Sequence, residues 1–215
     1  MNKINYQKEL EKIIASLQKP AKVFLHSCCA PCSSYCMEYL RRYFDVTVFY
    51  YNPNIMNEEE YCKRVAEQKR LIDTYNRLEE QEVTNGTETE VFTLRKISFV
   101  EGEYDVARYL QAVQGLEDAP EGGSRCGRCF ELRLRETARV AKEMGMDYFT
   151  TTLTISPLKN AAKLNEIGKK LENEMTLWLP SDFKKKNGYK RSIELSKEFD
   201  LYRQNYCGCE FSKRE

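Results

Sequence analysis

Short apolar runs alternate along this chain with longer stretches whose apolar positions recur every three or four residues. Val23-Phe24-Leu25 and the stretch Val46 to Tyr51 are the clearest runs. Both predict strands buried on two faces. Leu10, Ile13, Ile14 and Leu17 share one face of a helix predicted over Tyr6 to Gln18 and ended by Pro20. Further helices are predicted over Cys32 to Phe44, Glu58 to Leu78, Tyr104 to Val113, Cys126 to Met144, Asn160 to Leu171 and Tyr189 to Tyr202. Strands are predicted over Lys22 to His26, Val46 to Tyr51, Thr89 to Ile97, Tyr148 to Ile155 and Thr176 to Leu179. Asn52-Pro53-Asn54 reads as a turn, Gly115 to Gly127 as a loop, and Gly145 stands where a helix C-cap belongs. The alternation predicts an α/β fold with a single doubly wound, mostly parallel sheet. No repeat, low-complexity tract or long linker divides the chain, so residues 1–215 are expected to form one domain.

Composition narrows the setting. The 215 residues are 41% hydrophobic, enough for a substantial core. No run reaches the roughly 18 apolar residues a membrane span needs. The polar stretch Met1 to Leu10 has no secretory apolar region, so a reducing cytoplasm is expected. The net charge of +1 neither demands nor excludes nucleic acid.

Chemistry enters through cysteine. Seven of the nine cysteines fall in three groups: Cys28-Cys29-Ala30-Pro31-Cys32, Cys126-Gly127-Arg128-Cys129 and Cys207-Gly208-Cys209. The first follows the first predicted strand and enters a helix, the ligand-binding edge of a parallel sheet. Helix-start N–H groups there also lower thiol pKa. Cys126 and Cys129 share one helical face and can reach one metal. Four thiolates from two distant segments, Cys28, Cys29, Cys126 and Cys129, could hold zinc or an iron–sulfur cluster. Adjacent cysteines and the sheet-edge position favour the cluster. In an extended strand Cys207 and Cys209 would lie about 7 Å apart at Cα, beyond disulfide reach. Gly208 lets the chain turn, and the resulting strained, reducible ring suits an electron-passing dithiol; the alternative is a C-terminal hook that supplies further metal ligands. Cys36, one turn after Cys32, either joins that site or packs in the helix core, and Cys62 is a bystander on a polar helix. His26, the only histidine, is either a packed strand residue or a proton donor.

Lys184 to Arg191 is a basic run containing Tyr189, and Arg125, Arg128, Arg133 and Arg135 crowd the second cysteine group. Such clusters suit a phosphate backbone, and a solvated surface explains them equally well. Asp105, Asp182, Tyr148 and Tyr189 are candidate acids or metal ligands. Neither a phosphate-binding loop nor a dinucleotide fingerprint is present.

The ordered set H-S-C-C-A-P-C, Y-N-P-N-I, R-C-G-R-C-F-E-L-R-L, T-T-T-L-T-I-S-P-L-K, D-F-K-K-K-N-G-Y and Y-R-Q-N-Y-C-G-C resembles the QueH family of epoxyqueuosine reductases, from about Lys22 to Ser212. The resemblance implies a HUP/Rossmann-like fold and a reaction on tRNA: epoxyqueuosine at the wobble position of the anticodon stem-loop is reduced to queuosine. It implies a 4Fe-4S cluster on Cys28, Cys29, Cys126 and Cys129, a redox pair at Cys207 and Cys209, and an external electron donor. It also implies a second, mononuclear iron, for which Cys32 and either Asp105 or Asp182 are candidates in this chain. The pyrophosphatases related to this fold carry a glycine-rich loop after the first strand, absent here, which argues against ATP use. Two rival readings stand beside this one: a metal-free thioredoxin-like oxidoreductase using Cys29 and Cys32, and a zinc-stabilised RNA-binding module.

Overall fold

The structure, a computed structural model, describes residues 4–84 and 94–213. Its strands are Ala21–Ser27 (β1), Phe44–Tyr50 (β2), Ser98–Glu101 (β3), Tyr148–Thr151 (β4) and Leu177–Trp178 (β5). Its helices are Tyr6–Ser16 (α1), Ala30–Leu40 (α2), Glu58–Thr84 (α3), Val106–Val113 (α4), Ser124–Glu143 (α5), Ala161–Leu171 (α6) and Gly188–Glu198 (α7). The strands form one five-stranded parallel sheet in the order β3-β2-β1-β4-β5. Among the described residues, no helix is long and apolar enough to cross a membrane.

Successive strand residues feed opposite cores, as the period of two requires. Val23 and Leu25 of β1, with Val46 and Val48 of β2, pack against Leu10, Met37, Leu40, Leu71 and Ile72 from α1, α2 and α3. Phe24 and Phe49 face the other way, against Phe130, Leu134, Ala138 and Ala141 of α5 and Leu164 of α6. Each such fully buried side chain contributes about 1.5–3 kcal/mol. The sheet is therefore wound on both faces, as the alternation predicts.

β1 is central. The chain leaves it towards β2 and β3, then crosses to β4 and β5 on its other side. That reversal opens a crevice at the carboxyl ends of β1 and β4, where parallel α/β sheets bind ligands. Register brings His26 of β1 level with Thr151 of β4. The first cysteine group follows immediately.

Three expectations need correction. The predicted strand Thr89 to Ile97 falls partly outside the described residues, and Leu94 to Ile97 are irregular; the strand is Ser98–Glu101. It forms at a sheet edge with its ends exposed, so it lacks the apolar run that marks a buried strand. The predicted strand Tyr148 to Ile155 stops at Thr151, and Thr152–Ile155 turn as a 3₁₀ helix. Thr151 Oγ1 accepts from Leu153 N at 3.1 Å, a local bond that ends the strand in favour of the turn. The helix predicted over Cys32 to Phe44 is Ala30–Leu40, and Phe44 opens β2. Gly145 does close α5, at φ +64°.

Candidate active site at the sheet switch point

Cys28, Cys29 and Cys32 converge so that their sulfurs lie within 4.8 Å of one another. Cys28 Sγ is 3.8 Å from Cys29 Sγ. Pro31 occupies the first turn of α2, where its missing N–H costs nothing, and Cys29 takes the N-cap place with extended backbone. The loop is held by polar groups one layer deeper. Gln68 Oε1 accepts from Ser27 Oγ at 2.7 Å and from Ser33 Oγ at 2.8 Å, and Asn52 Nδ2 donates to the Ser27 carbonyl at 2.8 Å. From the 3₁₀ turn after β4, Thr152 Oγ1 accepts from Cys28 N at 3.3 Å.

Hydrogen bonds from Cys29 and Cys32 hold the Cys28 thiol well below its ordinary range, with Lys159 and Arg133 adding positive charge. The same sharing pushes Cys29 up to about 11, and Cys32 up as well. Cys28, the residue outside the C-x-x-C pair, is thus the most acidic of the three. A thioredoxin-like use of Cys29 and Cys32 needs a lowered pKa on that pair, so this arrangement weighs against it.

His26 is a packed strand residue. It is fully buried, with Nδ1 2.8 Å from Thr151 Oγ1 and Nε2 3.2 Å from Arg133 Nε. A guanidinium can only donate, so Nε2 faces a donor in Arg133, and it also lies 3.2 Å from the Tyr51 carbonyl, an acceptor. Burial, then Arg133, lowers its pKa to about 3, which keeps the ring neutral. Arg133 also donates to Asn52 Oδ1 and approaches Cys129 Sγ at 4.0 Å. Among the described residues no carboxylate pairs with Arg133.

Cys126 and Cys129 open α5 and line a small adjoining cavity together with Arg133, Lys159, Cys207 and Cys209. Gly122 N donates to Cys126 Sγ at 3.2 Å. Cys129 is buried, and burial raises its pKa. The larger cleft, of about 630 Å³, is floored by Cys29, Cys32 and Cys207. Cys207 and Lys159 line both spaces. Cys207 thus borders both the space lined by Cys29 and Cys32 and the one lined by Cys126 and Cys129. Burial works against the charge of Lys159, yet Cys28, Cys32 and Cys207 outweigh it and raise its pKa.

The C-terminal thiols ride on a strap fixed by its carbonyls. Asn54 Nδ2 and Arg64 donate to the Cys207 carbonyl, each at 3.2 Å, and Met56 N donates to that of Gly208 at 3.1 Å. Arg125 donates to the Phe211 carbonyl at 3.2 Å and to Ser212 Oγ at 3.1 Å. Gly208 has φ +99°, and a Cβ there would lie 2.6 Å from Ile55 Cγ1, so the turn expected at this residue needs glycine. Both thiols are free. A hydrogen bond from Cys209 lowers Cys207 to about 5 against the opposing effect of burial, while the same bond drives Cys209 up. Tyr109 Oη lies 2.9 Å from Cys209 Sγ. A sulfur that donates to Cys207 can accept from Tyr109, which makes a chain from phenol to thiol to thiolate. Iodoacetamide should therefore label Cys207 at pH 6 at least about tenfold faster than the exposed thiol of Cys62, with a rate that falls only below about pH 5. Peptide mass spectrometry across pH checks this, and labelling of Cys207 that begins only above pH 8 would contradict it.

Other candidates go elsewhere. Asp105 caps α4, its Oδ1 accepting from Arg108 N at 3.0 Å, and lies outside the three-thiol group. Asp182 pairs with Lys184 at 2.7 Å. Tyr148 packs beside the core on β4, and Tyr189 lines the large cleft. Arg125 and Arg133 are 1% and 3% exposed, so neither forms the phosphate-facing patch their spacing suggested. Arg128 and Arg135 both pair with Glu131. In the basic run, Lys184, Lys186 and Arg191 pair with Asp182, Glu11 and Glu38. Cys36 is buried and donates to the Cys32 carbonyl at 3.3 Å. The sequence reading gave no role to Lys159, Tyr109, Arg64 or Asn54. Only the S-P-L-K and Y-N-P-N-I segments, which hold Lys159 and Asn54, carried any signal for them.

Comparison with known proteins agrees. The sequence profile of the family described as Epoxyqueuosine reductase QueH matches residues 23–215. A protein of that name from Staphylococcus epidermidis is 40% identical over 216 residues, covering 98% of this chain and 85% of its own length. One from Streptococcus pyogenes serotype M1 is 39% identical, covering 99% and 79%. One from Thermotoga maritima is 33% identical over 197 residues, covering 90% and 91%. With all of the cysteine groups inside the matched span, the chain belongs to the QueH family of epoxyqueuosine reductases.

Proposed function

We propose that the chain reduces epoxyqueuosine at the wobble position of tRNA to queuosine, using an iron–sulfur cluster and the Cys207–Cys209 pair. The observation that carries this reading is the open cleft whose floor joins Cys29 and Cys32 to Cys207. It brings metal-type and dithiol-type sulfur to one substrate-sized space.

The donor set suits a metal. Three thiols converge, and the cations Arg133 and Lys159 beside them have no carboxylate partner among the described residues. Cys28 and Cys29, with Cys126 and Cys129 from the adjoining cavity, are the residues we assign to a 4Fe-4S cluster. Cys32 is left for a second iron, because Asp105 and Asp182 are engaged elsewhere. Such a centre supplies one-electron transfer and a Lewis-acidic iron for the epoxide oxygen.

The remaining chemistry belongs to the chain. Breaking both C–O bonds of the epoxide to leave alkene and water consumes two electrons and two protons. Cys207 and Cys209 supply two electrons on closing to a disulfide. Held as thiolate and thiol, they carry one proton between them. The second proton has a source in Lys159 Nζ, which lines the same cleft. An external reductant then reopens the disulfide.

The test is anaerobic purification with measurement of iron, sulfide and conversion of epoxyqueuosine in tRNA. Conversion that requires iron and sulfide is the expected result. An iron-free protein that reduces disulfides without converting tRNA would favour the thioredoxin-like reading. One equivalent of zinc, with tRNA binding and no conversion, would favour the RNA-binding module.

A further inference from the structure

The large cleft has walls that thiol chemistry alone does not explain. Tyr189, at the start of α7, lines it and is 37% exposed; Leu158, on the turn before Lys159, lines it too and is 66% exposed. Large apolar groups left in water around a polar, thiol-floored space mark a binding site. Among the described residues, Tyr189 makes none of the ring contacts or cation contacts that occupy Tyr206, whose ring lies 5.3 Å from both Arg64 Cζ and Lys213 Nζ. Its face is thus available. The ionisable lining, the thiols aside and Tyr189 and Tyr206 with them, is Lys159, Arg203 and Lys213 against one carboxylate, Glu121; with Lys213 paired to Glu210 at 2.6 Å, Lys159 and Arg203 still leave an excess of cations. Arg203 is exposed and enters no ion pair among the described residues.

Flat apolar surface, cationic rim and a reactive floor together describe a receptor for one nucleotide. A base has two π-faces to stack and a phosphate on each side for cations to hold, and stacking on an aromatic side chain is the usual way single-stranded loops are gripped. Chemistry on a base requires that it leave its stack and enter a pocket. At about 630 Å³ the cleft falls within the range of pockets that enclose small ligands.

We infer that the cleft receives a single nucleotide turned out of an RNA loop, with its base stacked on Tyr189 and Leu158 at its edge, and with Arg203 on the adjoining phosphate. The inference rests on the reductase reading for the identity of that nucleotide, and on the cleft alone for its class.

The experiment compares Tyr189→Ala and Tyr189→Phe with wild type on an anticodon stem-loop carrying epoxyqueuosine. Tyr189→Ala should raise KM about 5- to 100-fold, the range expected for loss of one stacking contact, with kcat within about twofold. Tyr189→Phe keeps the ring and should stay within about twofold in both. Arg203→Gln should lower the slope of log Kd against log salt by about one, while Lys170→Gln, on the exposed outer side of α6, should leave it unchanged. An unchanged KM in Tyr189→Ala, or equal damage in Tyr189→Phe, overturns the stacking role. An unchanged salt slope in Arg203→Gln overturns the phosphate contact. Fluorescence anisotropy of the labelled stem-loop gives Kd for the same variants without turnover. If wild type binds the stem-loop but does not convert it, the reductase reading fails while the Kd ratio still decides the cleft.

Discussion

Replacing Cys207 with serine should reduce multiple-turnover conversion on the order of 10³-fold or more while iron and sulfide content stay at the wild-type level. The reason is stoichiometric. A lone thiol at Cys209 cannot close to a disulfide, so the two electrons that break the epoxide C–O bonds have no source within the chain. The magnitude is that expected when one member of a unit acting together is removed. Cys207 is also the member that faces the cleft, whereas Cys209 is 3% exposed and bonded to Tyr109. Cys209→Ser should therefore be as damaging in turnover, yet leave Cys207 open to alkylation. Steady-state assays with a physiological reductant, paired with metal analysis, decide the matter. A Cys207→Ser protein that keeps its iron and turns over at the wild-type rate would falsify the dithiol role.

Arg133→Met should destabilise the fold by about 2–5 kcal/mol. Arg133 lies 3% exposed and donates to His26 Nε2 and Asn52 Oδ1. Methionine fills much of the volume but leaves both acceptors buried without a donor, at about 1–3 kcal/mol each. Relief from burying a cation offsets part of this. For a chain of this length the midpoint should fall by roughly 5–15 °C. Arg135→Met, on an exposed arginine paired with Glu131, should shift it by no more than about 2 °C. Thermal unfolding of the two variants side by side is the measurement. Equal midpoints would show that Arg133 is not the keystone its contacts describe. A metal deficit confined to Arg133→Met would add that its charge serves the thiolates as well.

Much of this could be read from the chain. Val23-Phe24-Leu25 and the run from Val46 to Tyr50 had to be buried strands, because apart from Thr47 their side chains are apolar or aromatic on both faces. The cysteine groups declared themselves through spacing, and glycine between Cys207 and Cys209 through the turn it allows. What stayed hidden was the identity of the buried charges. Arg125 and Arg133 share α5 with Arg128 and Arg135, and periodicity alone does not say which pair turns inward. Their burial is decided by what waits there: strap carbonyls for Arg125, a neutral imidazole and an amide for Arg133. Lys159 looked like any surface lysine. Its setting exists only because the turn after β4 returns it to the loop after β1. The strand predicted to run to Ile155 failed for a related reason, since the threonines that favour a strand also supply the hydroxyl that ends it.

The asymmetry of the C-terminal pair has a kinetic consequence. Cys207 lines the large cleft, and Cys209 sits behind it against Tyr109. On the proposed function, a disulfide formed there would meet its reductant through the same cleft that tRNA occupies. Product must depart before the enzyme is recharged. The two substrates would then take turns, their double-reciprocal plots would run parallel, and excess tRNA would inhibit by blocking recharge rather than by misbinding.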